Sequence, residues 1–124
     1  MGTTETMKVF IRDSEIAWET TGPGTKRKII SYDDRLMVVR VEFEKGAVGS
    51  VHQHHHSQIT HIESGAFEVE IGGDKEILRK GDAFYIPPNV LHGAVCLEPG
   101  TLIDVFSPMR EDFVSGNLTL NQNV

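Results

Sequence analysis

The sequence predicts an all-β fold, an antiparallel sandwich or barrel. Several short segments alternate between apolar and polar residues, which is the pattern of half-buried strands. Turn signals rich in glycine, proline and aspartate recur every ~8–12 residues, and no stretch shows a long helical period. We therefore expect roughly nine or ten short strands. They form a single domain over residues 1–124, with a core at about 9–113 and polar, loosely held ends at residues 1–8 and after Ser115.

The first half of the chain contains one short and one strong strand candidate. Residues 9–11 suit a short edge strand, and residues 21–24, Thr-Gly-Pro-Gly, predict a loop. Residues 36–43 alternate cleanly between apolar and polar side chains, as expected of a half-buried strand. Its apolar face carries Val39, Val41 and Phe43.

The second half predicts a run of hairpins. Residues 58–63 alternate, with Gln58, Thr60 and Ile62 on one face, and Gly65 is expected to end this strand. The Gly-Gly-Asp sequence at 72–74 predicts a hairpin turn. The other predicted elements are strands at residues 66–71, 75–78, 83–86, 92–97 and 101–106, and one helical turn at 109–113.

Composition excludes some classes of partner. The formal charge is 12 − 18 = −6, so nothing indicates binding to nucleic acid or to an anionic membrane. No apolar run approaches the ~20 residues needed to span a bilayer. The single cysteine, Cys96, rules out an intrachain disulfide, and we expect a cytoplasmic protein. A small anionic substrate remains compatible with this charge if the site itself is positive.

Residues 46–65, GAVGSVHQHHHSQITHIESG, hold five of the six histidines. If residues 50–54 are extended, His52 and His54 project to one face, and neutral imidazole is the commonest protein ligand of divalent transition metals. Gln58 follows a short turn and offers a carbonyl oxygen. A histidine-rich surface loop is the alternative, but the alternating apolar residues on both sides favour a metal site.

The other histidines of this stretch receive no ligand role. His61 points away from Gln58 if residues 58–63 form a strand, so it is interpreted as structural. His55 and His56 lie in the expected turn.

Asp104 is a second candidate for chemistry. It shares a strand face with Leu102 and Phe106, and a carboxylate inside a barrel is costly unless it is paired or lies near a cation. A general base is favoured over an Asp that only bonds neighbouring backbone amides.

Arg110 and Tyr85 are weaker candidates. The planar fork of Arg110 suits a carboxylate, but a surface ion pair with Glu111 or Asp112 explains it equally well. Tyr85 either lines the site with its phenol or packs in the barrel, and packing is favoured.

Two motifs resemble those of the cupin superfamily. The first has Gly46, five residues, His52, one residue, His54, three residues, Gln58, six residues and Gly65, with glutamine where the family pattern has glutamate. The second has Gly81, five residues, Pro87, one residue, Asn89, two residues and His92; Asn89 replaces a glycine, and Cys96 replaces an asparagine at its end. Fifteen residues, 66–80, separate the motifs. The resemblance implies a double-stranded β-helix, or jelly roll, with a metal inside the barrel.

A narrower resemblance adds residues 84–95, FYIPPNVLHGAV, and 104–113, DVFSPMREDF. With the histidine stretch they resemble the small cupins of pectin and alginate breakdown, which linearise 4,5-unsaturated monouronates. Glutamine commonly takes the glutamate position in that group. The resemblance implies metal ligands His52, His54, Gln58 and His92, catalytic Asp104 and Arg110, and Phe106 lining the site.

The implied activity is a non-redox ring opening of lyase or isomerase type, which needs a divalent ion and no organic cofactor. Zinc, nickel, iron and manganese all accept this ligand set. A metal-dependent oxygenase and a non-catalytic sugar-binding domain are the alternatives, and the source of the uronate stays open. Because cupins often form dimers, we expect a homodimer, paired through residues 9–11 or 36–39.

Overall fold

The structure is a computed structural model that describes residues 8–115. Within this range the chain is almost entirely antiparallel β-sheet, and no helix in it is long and apolar enough to cross a membrane. A 3₁₀ turn at Asp13–Glu15 precedes the strands, and the expected helical turn, α1 (Glu111–Val114), follows them. The strands are β1 (Glu19–Gly22), β2 (Thr25–Tyr32), β3 (Met37–Phe43), β4 (Val48–His52), β5 (Ser57–Ile71), β6 (Asp74–Arg79), β7 (Ala83–Ile86) and β8 (His92–Ser107).

Two long strands, β5 and β8, tie two sheet layers together. Their pairing runs from Ser57 opposite Ser107 to Ile71 opposite His92. At the Ser57 end, β3 and β2 extend the sheet on one side and β7 pairs with β5 on the other. At the Ile71 end, β4 pairs with β8 and β6 pairs with β5. This is the all-β jelly roll, or double-stranded β-helix, that the sequence predicts.

Two predicted breaks are wrong, because both lie inside long strands. Gly65 does not end a strand: it sits in a bulge of β5 at φ 85°, where the register shifts between Ile62 and Ala66. Residues 98–100, which separate the predicted strands 92–97 and 101–106, lie within the single strand β8. A glycine at positive φ lets a strand bend without leaving its sheet. The part of the chain that is described therefore has eight strands, fewer than predicted.

The N-terminal expectations are also corrected. Residues 9–11 form no strand, and the side chains of Val9 and Phe10 are 80% and 88% exposed. Thr21 and Gly22 belong to β1, so the predicted loop shortens to a Pro23-Gly24 turn. Residues 36–39 offer no free edge, because β3 lies between β2 and β8. The expected loose ends, apart from Lys8 and Ser115, fall outside the described residues.

The inner faces of the strands form rows across the barrel, with the apolar face of β3 buried as predicted. Val41 lies opposite Leu102, which lies opposite Ile62, and all three are buried. Two rows further along carry polar side chains. In the order β3, β8, β5, β7, the first of these rows consists of Val39, Asp104, Thr60 and Phe84. The second consists of Met37, Phe106, Gln58 and Ile86. The barrel is thus apolar in its interior and polar at the end where β5 begins.

Candidate metal centre and active site

Three imidazoles meet at the polar end of the barrel. His52 ends β4, His54 follows two residues later, and His92 begins β8. One ring nitrogen from each lies within 4.8 Å of the other two. The ring centroids of His52 and His54 are 5.6 Å apart, and His92 lies 4.4 and 4.8 Å from them. The structure brings together the three histidines singled out by the spacing.

Backbone carbonyls fix the orientation of all three rings. Because a carbonyl oxygen only accepts hydrogen bonds, each contact favours a proton on Nδ1 and makes Nε2 the nitrogen whose lone pair can bind an ion. Such outer contacts are the usual means of orienting histidine ligands. The pairs are His52 Nδ1 with Ser50 O at 2.7 Å, His54 Nδ1 with His56 O at 3.2 Å, and His92 Nδ1 with Val90 O at 2.9 Å.

Gln58 lies beside His54 with its carbonyl oxygen turned to the ring. Its Oε1 is 3.0 Å from His54 Nε2, while its amide nitrogen donates to Thr60 Oγ1 at 2.9 Å. A weaker contact of 3.4 Å joins the same nitrogen to Asp104 Oδ1. These donations assign the amide orientation, because the nitrogen faces the acceptors and the oxygen faces His54.

The donor set fits a cation. His54 lies between two acceptors, the carbonyl of His56 at Nδ1 and the Oε1 of Gln58 at Nε2. Burial, the charge of Arg110 and the neighbouring His92 lower the pKa of His54 to about 3, so the ring is neutral and has one N–H for two acceptors. Binding of a metal ion by Nε2 and Oε1 would remove the conflict, because both atoms would then act as lone-pair donors. Three imidazoles and a carboxamide also leave the ion its full charge.

Asp104 lies one row below Gln58 and is 1% exposed. Its Oδ1 accepts a 2.6 Å hydrogen bond from Thr60 Oγ1. Burial raises the pKa of Asp104 to about 7, against the opposing effects of Thr60, Arg110 and Gln58. The predicted inward orientation is confirmed. The alternative of an Asp bonded to neighbouring backbone amides is not what the structure has, since its side-chain partners are Thr60 and Gln58.

Arg110 is buried, with 2% of its surface exposed. Asp112 pairs with it, as one of the two sequence-based interpretations expected, but the pair is not on the surface: the side chains are 2% and 14% exposed. The guanidinium lies over Phe106 at 5.1 Å, and Phe106 in turn contacts the His54 ring at 5.8 Å between centroids. Arg110 and Phe106 therefore belong to the same cluster as the histidines.

Tyr85 is not part of this cluster. It pairs with Ile59 on the outer face of the sheet and is 56% exposed, whereas its neighbours Phe84 and Ile86 point inward. Both predicted roles of Tyr85, lining the site and packing in the barrel, are therefore wrong. The alternation of β7 is the reason, because adjacent side chains point to opposite faces. His61 points outward too, as predicted.

A second group of potential donors lies next to the first. Atoms of His55, His56 and Glu111 come within 4.8 Å of one another, and His56 is 4% exposed. The 3.3 Å contact of His56 Nε2 with Glu111 Oε1 suits a hydrogen bond that ties α1 to the β4–β5 connection. Burial and the charge of Arg110 lower the pKa of His56, and the same positive charge opposes a cation at this second group. His56 is thus buried beside the centre, which its place in a predicted turn did not indicate.

Sequence reasoning also missed two polar residues of the cluster. Thr60 was placed on the face of Gln58, but its link to Asp104 comes from a neighbouring strand 44 positions away. Asp112 was considered only as a surface partner of Arg110. Thr60 could have been found from its position, because strand alternation places this polar residue on the same face as apolar Ile62. No comparable signal existed for Asp112.

Comparisons with known proteins agree with this architecture. A cupin domain model matches residues 39–106. The chain is 50% identical over 110 residues to the pectin degradation protein KdgF of Dickeya dadantii (strain 3937), a match that covers 87% of this chain and 100% of that protein. The structure of KdgF from Halomonas sp. superposes with a TM-score of 0.83 at 47% identity, covering 86% and 99% of the two chains. An RmlC-like cupin from Shewanella frigidimarina gives 0.84 at 44% identity, covering 86% and 96%.

Proposed function

The chain belongs to the cupin family, and we propose that it opens the ring of 4,5-unsaturated monouronates released in pectin-type polyuronate breakdown. The observation that carries this proposal is the convergence of neutral metal donors, a buried carboxyl and a buried guanidinium at one end of the barrel. The similarity to two KdgF proteins, one of them described as a pectin degradation protein, supports the choice of substrate.

In this proposal His52, His54, Gln58 and His92 hold one divalent transition metal ion. Their neutral donors and fixed orientations suit such an ion. When bound, the ion supplies Lewis-acid stabilisation of negative charge on substrate oxygens. Zinc, nickel, iron and manganese are all compatible with this set.

Arg110 binds the C6 carboxylate of the sugar. Its guanidinium is buried, and a buried guanidinium and a carboxylate interact more strongly than they do in water. The Phe106 ring lies against the guanidinium, 5.1 Å from its central carbon. Because the Arg110 charge is already paired with Asp112, a bound divalent ion would supply the positive charge that attracts an anionic sugar within a chain of net charge −6.

Asp104 acts as the general base. It takes the proton of the anomeric hydroxyl, the C1–O5 bond breaks as the C1 aldehyde forms, and the electrons remain on the enolate at C5. The same proton is then delivered to C4, which yields the linear 4-deoxy-5-ketouronate with no net change in composition. Thr60 keeps Oδ1 of Asp104 in place during both transfers.

The partner class is a small anionic sugar. The expected homodimer and cytoplasmic location stay predictions, and light scattering of the purified protein tests the first of them.

Product analysis tests the proposal. Metal-loaded protein incubated with a 4,5-unsaturated monouronate under nitrogen is expected to give a linear product with a C5 ketone and a C4 methylene, followed by ¹³C NMR. Asp104→Asn is expected to slow turnover by ~10²-fold or more, the usual range for a general base, with its metal retained. Oxygen consumption would instead indicate an oxygenase, and saturable sugar binding without turnover a binding domain.

A further inference from the structure

We propose that Asp112 is a positioning residue that orients Arg110 so that a single nitrogen, Nη1, faces the substrate carboxylate. This inference rests on the proposed function and deepens it, because it names the atom that recognises the sugar and the residue that selects that atom.

The contact between the two side chains is bidentate and uses one edge of the guanidinium. Arg110 Nε donates to Asp112 Oδ1 at 3.0 Å, and Nη2 donates to Oδ2 at 2.8 Å. Two parallel hydrogen bonds fix the plane of the guanidinium as well as its position. The side chains are two residues apart at the start of α1, so the backbone holds them close.

Aromatic rings restrict the guanidinium further. Its central carbon lies 4.3 Å from the ring centroid of Phe113 and 5.1 Å from that of Phe106. Those two rings meet edge to face, 5.6 Å apart. Rotation of the Arg110 side chain would break the aromatic contacts together with the ion pair.

Nη1 is the guanidinium nitrogen that is left without a hydrogen-bond partner in the described part of the chain. It is buried and makes no hydrogen bond with any side chain or backbone group in residues 8–115. A buried donor without an acceptor is destabilising, so an acceptor from a bound molecule would be stabilising at this position. The guanidinium reaches the histidine cluster through Phe106, whose ring lies 5.1 Å from the central carbon of Arg110 and 5.8 Å from the His54 ring. A carboxylate oxygen of the uronate satisfies Nη1 there.

The neighbouring carboxylate provides a matched control. Glu111 is exposed and contacts His56, not Arg110. It has the same charge and lies on the same helical turn. Glu111→Gln therefore removes one negative charge from the region and leaves the Arg110–Asp112 contact intact.

A structural role for Asp112, as a mere anchor of α1, makes a different prediction from a positioning role. If Asp112 acts through Arg110, the effects of Asp112→Asn and Arg110→Ala are not additive, because removing the guanidinium leaves Asp112 nothing to orient. An anchor that acts through groups other than Arg110 would add its own loss in either background.

The experiment uses metal-loaded full-length protein and two readouts: turnover of the unsaturated monouronate, and binding of D-galacturonate, a saturated uronate, by calorimetry. Asp112→Asn is expected to lower kcat/KM by roughly 10- to 100-fold and to weaken galacturonate binding. In the Arg110→Ala background it is expected to change either quantity by less than about twofold. Asp112→Glu keeps the charge but displaces it, so its kcat/KM and galacturonate affinity are expected to lie between those of wild type and Asp112→Asn. It replaces Asp112→Asn as the test variant if Asp112→Asn does not fold. Glu111→Gln is expected to match wild type.

The outcomes separate the two claims. If wild type turns nothing over but binds galacturonate in an Arg110- and Asp112-dependent way, the proposed function fails and the positioning role stands. If turnover is confirmed and Asp112→Asn matches Glu111→Gln in rate and binding, or its loss is additive with that of Arg110→Ala, the positioning role is wrong. Absence of both turnover and binding in wild type contradicts both.

Discussion

Thr60 Oγ1 donates a 2.6 Å hydrogen bond to Asp104 Oδ1 and accepts one of 2.9 Å from the amide nitrogen of Gln58. One hydroxyl therefore links the proposed base to a proposed metal ligand. All three side chains are at most 1% exposed. Buried polar groups need complete hydrogen bonding, so the orientation of each depends on the other two.

Removal of this hydroxyl is expected to impair catalysis without loss of the metal. Thr60→Val keeps the volume of the side chain but cannot donate to Asp104, so the base loses its fixed position. We expect kcat to fall by about 10-fold or more, with metal retained, because the three histidine ligands are unchanged even though Gln58 also loses its contact with the hydroxyl. Thr60→Ser, which keeps the hydroxyl, is the control. Steady-state kinetics and metal analysis decide the question, and a Thr60→Val enzyme as fast as Thr60→Ser would exclude this role.

Gln58→Glu tests why a glutamine stands at this position. Glutamate has no donor for Thr60, and it would bring a second carboxylate next to Asp104, now 3.4 Å from the amide nitrogen. Two carboxylates at such a distance resist joint ionisation. We expect metal binding to persist, because a carboxylate is also a ligand, and kcat at neutral pH to fall by roughly 10-fold or more.

The matched control for this substitution is Gln53→Glu, which adds the same charge at an exposed position of the β4–β5 connection. It is expected to leave kcat unchanged. A Gln58→Glu protein with wild-type kcat would show that the neutrality of residue 58 is irrelevant.

The Arg110–Asp112 pair makes part of the stability depend on pH. Burial alone raises the pKa of Asp112, but the hydrogen bonds and charge of Arg110 outweigh burial and leave the pKa lowered in the folded protein. This contribution is present above the unfolded pKa of about 3.9 and is lost as pH falls through the lower folded pKa. Asp112→Asn is therefore expected to be less stable at pH 7, by ~3 kcal/mol, since it leaves a buried charge unpaired.

Below the folded pKa the difference between wild type and Asp112→Asn should shrink. Denaturant titrations of both metal-free proteins at pH 7, 5 and 3 measure it, with Glu111→Gln as the reference. A difference that stays constant down to pH 3 would refute the assignment of this acid sensitivity to Asp112.

The bulge at Gly65 is expected to be essential to the fold. A Cβ there would lie 2.6 Å from the backbone oxygen of Glu98 and 2.6 Å from the Cα of Gly100. Gly73 has a similar positive φ, 90° against 85°, but a Cβ added to Gly73 would meet no atom within 4 Å. Gly65→Ala should therefore cost several kcal/mol more in free energy of unfolding than Gly73→Ala, for which backbone strain alone costs about 1 kcal/mol. Equal denaturation midpoints for the two variants would contradict the steric account.

Much of the fold was readable from local patterns. The alternation around Val39 and Val41 predicted β3, and the two glycines at 72–73 predicted the β5–β6 hairpin, because both signals act over a few residues. The continuity of β5 through Gly65 was not readable. It depends on close approach to residues 98–100, more than 30 positions away, which no local pattern encodes.

The candidate site also has a part that the sequence predicted and a part that it did not. Histidine spacing and the inward face of Asp104 followed from strand alternation. The buried state of Arg110 did not follow, because it depends on two rings, Phe106 and Phe113, that the fold brings around it. The prediction for Tyr85 was wrong because the alternation of β7, which turns Phe84 and Ile86 inward and Tyr85 outward, was not applied to it.

The central claim is that this cupin linearises an unsaturated monouronate and needs its metal to do so. The most direct measurement is the initial rate at which the conjugated double-bond absorbance disappears, compared for metal-loaded protein, chelator-treated protein and buffer. We expect a rate well above buffer for the loaded protein, a rate equal to buffer after chelation, and recovery when one equivalent of metal is restored. A loaded protein that matches buffer, or a chelated protein as fast as the loaded one, would contradict the claim.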